Sequence, residues 1–260
     1  GSVNLVGNFN FEAVTADFRN IFHELYLGAR NDREALRSYY IGKKTTARDY
    51  RVDFLVRLHD LNPVIRFIGL DASVSRHVQV SGHFIHGLTT IFHAYSSIPQ
   101  LTWKKAVFTD NEFDFNGSKL QDTTSVLAMM LISSARQQFS EKIATRKLVL
   151  EGIWNRDHID IGLDFDQEGF DNSFRIKSEL DFLTDGTLLK IMPSRIRLLG
   201  KAWTINPENR ITIRGTEIDF QQLELTNDGR SMIIEGRLSE KDYGAELRVG
   251  LKDLTLDLVN

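Results

Sequence analysis

The residues that could do chemistry come first, because each candidate set can be tested against the spacing its chemistry needs. His23-Glu24 begins a zinc-protease helix, but Leu27 stands where the second histidine is required. Gly42-Lys43-Lys44-Thr45 has the tail of a phosphate-binding loop, with Arg37 at the place of its first glycine and no phosphate cradle. Asp164, Asp166, Glu168 and Gly169 start like a calcium loop, yet Arg175 occupies the position of the closing bidentate glutamate. A hairpin turn explains that segment better. His83, His86 and His93 are close enough in sequence to suggest zinc on adjacent strands, but no carboxylate or thiolate cluster accompanies them, and strand-surface histidines are the simpler reading. Asp160 and Asp164 share a strand face, interleaved with Ile159, Ile161 and Leu163 like a solvated outer face. There is no G-x-S-x-G elbow and no S-x-x-K. The chain is therefore expected to be non-enzymatic, with no metal and no cofactor.

Composition narrows the classes further. The 260 residues carry 32 basic and 35 acidic side chains, a formal net charge of -3, so no overall field draws the chain to nucleic acid or to an anionic membrane. The mild basic stretch Arg195, Arg197, Lys201, Arg210 and Arg214 alternates with Ile196 and Leu198, and its aromatics fall on the other face, unlike a base-stacking platform. No nucleic-acid partner is expected. The chain has no cysteine, which removes disulfide frameworks, thiolate metal sites and cysteine nucleophiles. No apolar run approaches the roughly 18 residues of a membrane span. Gly1-Ser2 reads as an expression scar, so the chain is expected to be a piece of a longer protein.

The elements that would have to position any site are mostly strands. Tyr50, Val52, Phe54, Val56 and Leu58 alternate with polar or charged neighbours, apart from Leu55, and so do Ile159, Ile161, Leu163 and Phe165, then Phe174, Ile176, Leu180 and Phe182. Met232 to Leu238, Ala245 to Leu251, Val78 to Phe84, Leu148 to Trp154 and Ile218 to Leu225 repeat the pattern. Asn155-Arg156-Asp157, Gln167-Glu168-Gly169, Asp185-Gly186, Asn206-Pro207 and Asn227-Asp228-Gly229 read as turns. Residues 49–260 are thus expected to form one long antiparallel meander with an apolar and a charged face. Residues 1–48 are expected to hold a strand and amphipathic helical segments, continuous with that meander as one structural unit. Phe18, Ile21, Phe22 and Leu25 have helical spacing, with Thr15 as the expected N-cap and Gly28 as the expected end. Asn31 is expected to cap a second helical segment carrying Leu36, Tyr39 and Tyr40 on one side. Residues 123–142 fit both periods, and strand is favoured.

The C-terminal third carries a set of motifs in a fixed order: Ile191-Met192-Pro193-Ser194-Arg195-Ile196, then Trp203-Thr204-Ile205-Asn206-Pro207-Glu208-Asn209, then Ile218 to Leu225 and Thr226-Asn227-Asp228-Gly229, then Ile233-Ile234-Glu235-Gly236. As a set this resembles the TamB family, the translocation and assembly module proteins of the AsmA-like group. Gly7-Asn8-Phe9-Asn10-Phe11 before the helix, and Leu61-Asn62-Pro63 after the strand at Tyr50, resemble it more loosely. The resemblance implies a mainly β fold: an elongated, curved, taco-like antiparallel sheet with a hydrophobic trough, plus one or two short helices near the N-terminus. It implies an internal periplasmic part of a protein anchored in the inner membrane of a Gram-negative bacterium. The implied work is outer-membrane biogenesis, by moving phospholipid between the two membranes, by assisting outer-membrane protein assembly and secretion, or both. The implied partners are phospholipid acyl chains and an outer-membrane barrel protein.

A trough of this kind needs no nucleophile. Each methylene removed from water is worth about 0.8 kcal/mol, so a sixteen-carbon tail is worth roughly 12 kcal/mol. The expected lining is Val52, Phe54, Val56, Ile159, Ile161, Leu163, Phe165, Phe174, Ile176, Leu180 and Phe182. The same residues would line the closed core of a compact β-sandwich that binds a soluble ligand such as a glycan, and periodicity alone leaves both open.

Overall fold

A computed structural model describes residues 1–42, 49–67, 69–120, 126–239 and 246–253. The chain is mainly β, and the 17 strands of the described residues lie in one sheet. The N-terminal elements are β1 (Ser2–Asn8), α1 (Phe11–Ala29), α2 (Arg33–Gly42), β2 (Tyr50–Leu58), α3 (Asn62–Phe67) and β3 (Ala72–Val74). The long central strands are β4 (Val78–His86), β5 (Thr89–Trp103), β6 (Ala106–Leu120), β7 (Val126–Gln138), β8 (Ala144–Asn155), β9 (His158–Gln167) and β10 (Ser173–Leu183). Shorter pieces follow: β11 (Gly186–Ile191), β12 (Arg195–Leu198), β13 (Lys201–Ile205), β14 (Arg210–Arg214), β15 (Glu217–Asn227), β16 (Arg230–Ser239) and β17 (Leu247–Lys252).

Every ladder is antiparallel. They run from β1 through β2, β4 and β5 to β10, then through the paired pieces β11/β12 and β13/β14 to β15, β16 and β17. β1 pairs with β2, so the N-terminal segment belongs to the same sheet as the meander. Among the described residues every strand joins this one sheet, and no second sheet packs on it. Residues 126–138 are strand, as favoured above; residues 123–125 lie outside the described residues.

Register puts one residue set on one face along the whole meander. Leu5 faces Phe54, Val52 faces Phe84, Phe84 faces Phe92, Ala94 faces Phe115, Phe115 faces Met130 and Ala128 faces Trp154. Trp154 faces Ile159, Ile159 faces Leu180, and Leu180 faces Leu189. The sheet curves around this apolar face: Asn31, just beyond α1, reaches the β10–β11 turn and donates to the carbonyls of Leu183 (2.6 Å) and Gly186 (3.1 Å).

A line of irregularities crosses the sheet and shifts the phase of alternation. Asp110, Lys147 and Gln222 adopt left-handed backbone angles; the pairing lapses at Asp110, and the register shifts at Lys147 and Gln222. In β15 the apolar face is carried by Ile218 and Phe220 before Gln222 and by Leu223 and Leu225 after it. One added residue flips side-chain parity, so a bulge is what keeps both halves of a phase-shifted strand facing inward. Buried amides mend the backbone there. Asn111 donates to the carbonyls of Ile98 (2.9 Å) and Phe108 (3.1 Å), and Thr145 donates to Gln137 Oε1 at 2.7 Å. Asn209, fully buried, accepts from Ile191 N–H (2.8 Å) and donates to Ile191 C=O (2.7 Å).

Three expectations about the helix ends are corrected. Asn10, not Thr15, caps α1: its Oδ1 accepts from the N–H groups of Glu12 (2.9 Å) and Ala13 (3.2 Å), while Thr15 lies inside the helix and donates to Phe11 C=O. The helix runs one residue past Gly28. Asp32, not Asn31, caps α2, accepting from Ala35 N–H at 3.0 Å. Asn206-Pro207 is a turn, as read, with Asn209 N–H donating to Asn206 C=O at 3.2 Å, and it joins β13 to β14, which continue in one direction along β15. Within the meander Asn62-Pro63 opens the short helix α3, with proline at a position that needs no helical N–H. Asn62 fixes it to β3, donating to Val74 C=O (2.9 Å) and accepting from Val74 N–H (2.8 Å).

Candidate functional site

α1 lies across the apolar face of β1 to β8. Val14, Phe18, Phe22, Leu25 and Ala29 form its inward stripe, the spacing an amphipathic helix must have to cover a sheet. Aromatic rings dominate the contact. Phe18 meets Phe92 edge-on at 5.1 Å and Phe84 at 6.0 Å, and Phe54 stacks on Phe92 at 6.0 Å. Gly82 makes room for this: a Cβ there would sit 2.7 Å from Phe54 Cζ and 1.9 Å from His93 C=O. The rings do not fill the space. A cavity of about 830 Å³ remains between helix and sheet, walled by Leu5, Val52, Phe54, Val56, Phe84 and Phe115, with Trp154 at its far end. Phe22 and Tyr26 stay exposed at its lip. This size falls within the ~300–1,000 Å³ of small-molecule sites.

Of the residues expected to line a trough, Val52, Phe54 and Val56 line this cavity. Phe182 lines a second one, about 570 Å³, on the α2 side of α1. Ile159, Ile161, Leu163, Phe165, Phe174, Ile176 and Leu180 lie on the same sheet face, half-buried, beyond Trp154. There Phe165 stacks on Phe174 at 4.6 Å. The α1 residues and Trp154 are missing from the expected set. Periodicity marks α1 as amphipathic, but not which strands it covers.

Two buried polar clusters pack against α1. Tyr50 donates to Asp17 Oδ2 at 2.8 Å, and burial together with this acceptor pushes the Tyr50 hydroxyl far above its ordinary range. His86 stands beside them, with Thr90 Oγ1 at 3.4 Å and Asp17 Oδ2 at 3.8 Å both from Nδ1. A nucleophile–base relay needs hydroxyl and carboxylate on opposite ring nitrogens, so these three do not form one. Further along α1, Glu24 accepts from Tyr40 (2.7 Å) and pairs with Lys119, a buried charge matched by its counter-ion. Burial raises the Tyr39 and Tyr40 hydroxyls well above the usual phenol range.

The remaining candidates separate. His83 and His93 are cross-strand neighbours on the outer face, ring centroids 5.3 Å apart, while His86 stacks on Tyr50 on the inner face, so the three histidines do not converge. Desolvation, then His93, lowers the His83 pKa. Asp164 and Asp166 are paired to Arg175 at 3.4 and 2.8 Å, and Glu168 to Arg136 at 2.7 Å, with Gly169 in the hairpin turn. Lys43, Lys44 and Thr45 lie outside the described residues. Arg197 and Arg214 pair with Asp171 (2.8 Å) and Asp185 (3.0 Å) on a solvated face. His158, Asp160 and Glu179 bring one ligand atom each within 4.8 Å. His158 already bonds Asp181 through Nδ1 (2.7 Å) and Asp160 through Nε2 (3.3 Å), and the Asp181 bond raises its pKa.

Among the described residues no helix is long and apolar enough to cross a membrane. Comparison of the chain with family models, with curated proteins and with solved structures finds no match.

Proposed function

We propose that the chain is a non-enzymatic carrier surface for hydrocarbon chains, holding an acyl tail between α1 and the apolar face of the sheet. The observation that carries this reading is the 830 Å³ cavity, whose wall is almost wholly aliphatic and aromatic. A tail entering it escapes water at about 0.8 kcal/mol per methylene, while its polar end stays outside the apolar walls. The apolar face continues past Trp154 onto Ile159, Ile161, Leu163 and Phe165 of β9, giving a moving tail a continuous low-energy surface. With the motif resemblance, this supports a TamB-like part in outer-membrane biogenesis, passing phospholipid across the periplasm from an inner-membrane-anchored parent. Assembly of outer-membrane barrel proteins is the second reading. It is favoured by β17, which among the described residues pairs only with β16 and carries Val249 and Leu251 exposed beside its other edge, where a partner strand joins.

Native mass spectrometry after purification without detergent tests the carrier reading. Co-purified phospholipid, lost from Phe54→Asp, is the expected result. Ile161→Asp tests the extension: it leaves the bound tail in place and slows transfer between vesicles. A protein that neither co-purifies with lipid nor takes up an added fatty acid overturns the reading.

A further inference from the structure

The second cavity differs from the first in charge, and the two meet at one side chain. Trp154 lines both. Its indole is fixed from one side by Nε1 donating to Arg156 C=O at 2.7 Å. From the other side α1 presses close, since a Cβ on Gly28 would lie 3.0 Å from the ring. Beyond Trp154 the 570 Å³ cavity is walled by Leu27, Leu36 and Phe182, and by three arginines: Arg33, Arg37 and Arg156. Arg33 is engaged, donating to Phe182 C=O at 3.0 Å and Asn31 Oδ1 at 3.3 Å. Among the described residues, Arg37 and Arg156 have no side-chain hydrogen bond or ion pair. Three carboxylates share the cavity. Glu24 is held by Lys119 and Tyr40, Asp32 by the first turn of α2, and Asp157 lines the cavity without pairing to an arginine. Two guanidinium groups without partners, in a cavity abutting an apolar one, are what an anionic oxygen cluster joined to a hydrocarbon chain requires.

We infer that Arg37 and Arg156 hold the anionic head group of an amphiphile, a phosphate or carboxylate, whose tail passes Trp154 into the apolar cavity. This rests on the proposal that the apolar cavity holds hydrocarbon, and it adds selection for a negative head. Guanidinium forks bind tetrahedral and planar oxyanions through paired N–H donors, and screening by salt weakens that attraction without touching the tail.

Calorimetric titration of the whole chain with decyl phosphate, decanol and inorganic phosphate tests it. Decyl phosphate binds about ten-fold tighter than decanol at low ionic strength, the size of one charge-assisted contact, and the advantage shrinks as salt rises. The double variant Arg37→Gln, Arg156→Gln loses that advantage and keeps the decanol affinity, which also shows that the fold is intact; Arg37→Lys keeps part of it. Equal affinity for decyl phosphate and decanol overturns the head-group site and leaves the apolar cavity standing. Inorganic phosphate binding as tightly as decyl phosphate overturns the amphiphile in favour of a free anion. If neither ten-carbon ligand binds, the carrier reading and this inference fall together.

Discussion

From β1 to β8 the apolar face of the sheet is covered by a helix; from β11 to β16 it is covered by its own side chains. The first region uses rings: Phe18, Phe54, Phe84, Phe92 and Phe115 meet edge-on, tilted or stacked, and rigid rings under a cylinder leave the 830 Å³ cavity. The second uses branched aliphatics on short strands. Ile205, Ile211 and Leu223 pack with Leu189, Ile191 and Phe220 and are left 4–8% exposed. The same alternation thus yields a site where a foreign element lies on the sheet, and a packed core where the strands break and fold their faces together. Where α1 lies on the rings an apolar groove stays open; where the strands pack on themselves their side chains close on one another.

The largest effects should separate the two regions. Phe84→Ala removes a ring that is 1% exposed and should cost about 3–5 kcal/mol, and Ile205→Ala about 2–5 kcal/mol, by urea unfolding. Hydrogen exchange then sharpens the contrast: Phe84→Ala should speed exchange in α1 and β4, and Ile205→Ala in β13 and β14. If each variant loosens both regions alike, they are one cooperative unit and the contrast is lost. Asn209→Ala comes next. It strips both Ile191 backbone groups of their partner inside the sheet and should cost about 2–3 kcal/mol.

Smaller effects concern protons and surface charge. His158 sits in the β8–β9 hairpin with its pKa raised by Asp181, so its contribution is present below the ordinary imidazole value of about 6.5 and is lost as pH rises through the higher folded value. His83, on β4, has its pKa lowered by desolvation and His93, so the chain loses stability as pH falls below about 6.5. Melting curves of His158→Gln and His83→Gln between pH 5 and 8.5 should therefore diverge from the parent on opposite sides. Arg197→Ala breaks an exposed pair with Asp171 and should cost under about 1 kcal/mol in the same assay.

Much of this architecture is legible in the chain. The alternation at Tyr50–Leu58, Ile159–Phe165 and Phe174–Phe182 fixes strand and face because a side-chain period of two has no other solution. The Asn155-Arg156-Asp157 and Asn227-Asp228-Gly229 turns are marked by their own residue chemistry. Illegible were the features set by distant partners. Asn206-Pro207 forms the turn its chemistry implies, but that β13 and β14 continue in one direction on either side of it is set by their shared partner β15. Thr15 is a sound cap by type, but Asn10 precedes it and already satisfies the first free N–H groups. Trp154 reads as one strand aromatic among several. That it divides two cavities follows only from α1 crossing β8, which no local pattern encodes.

The most direct test of the central claim uses the three tryptophans as reporters. Single-tryptophan variants keeping Trp154, Trp203 or Trp103 are titrated with a fatty acid carrying a nitroxide on its chain. Trp154 lines the proposed cavity, Trp203 lies buried in the self-packed region, and Trp103 is exposed at the end of β5. The account predicts saturable quenching of Trp154 alone, abolished by Phe54→Asp. Equal quenching of all three, or none of Trp154, would contradict it.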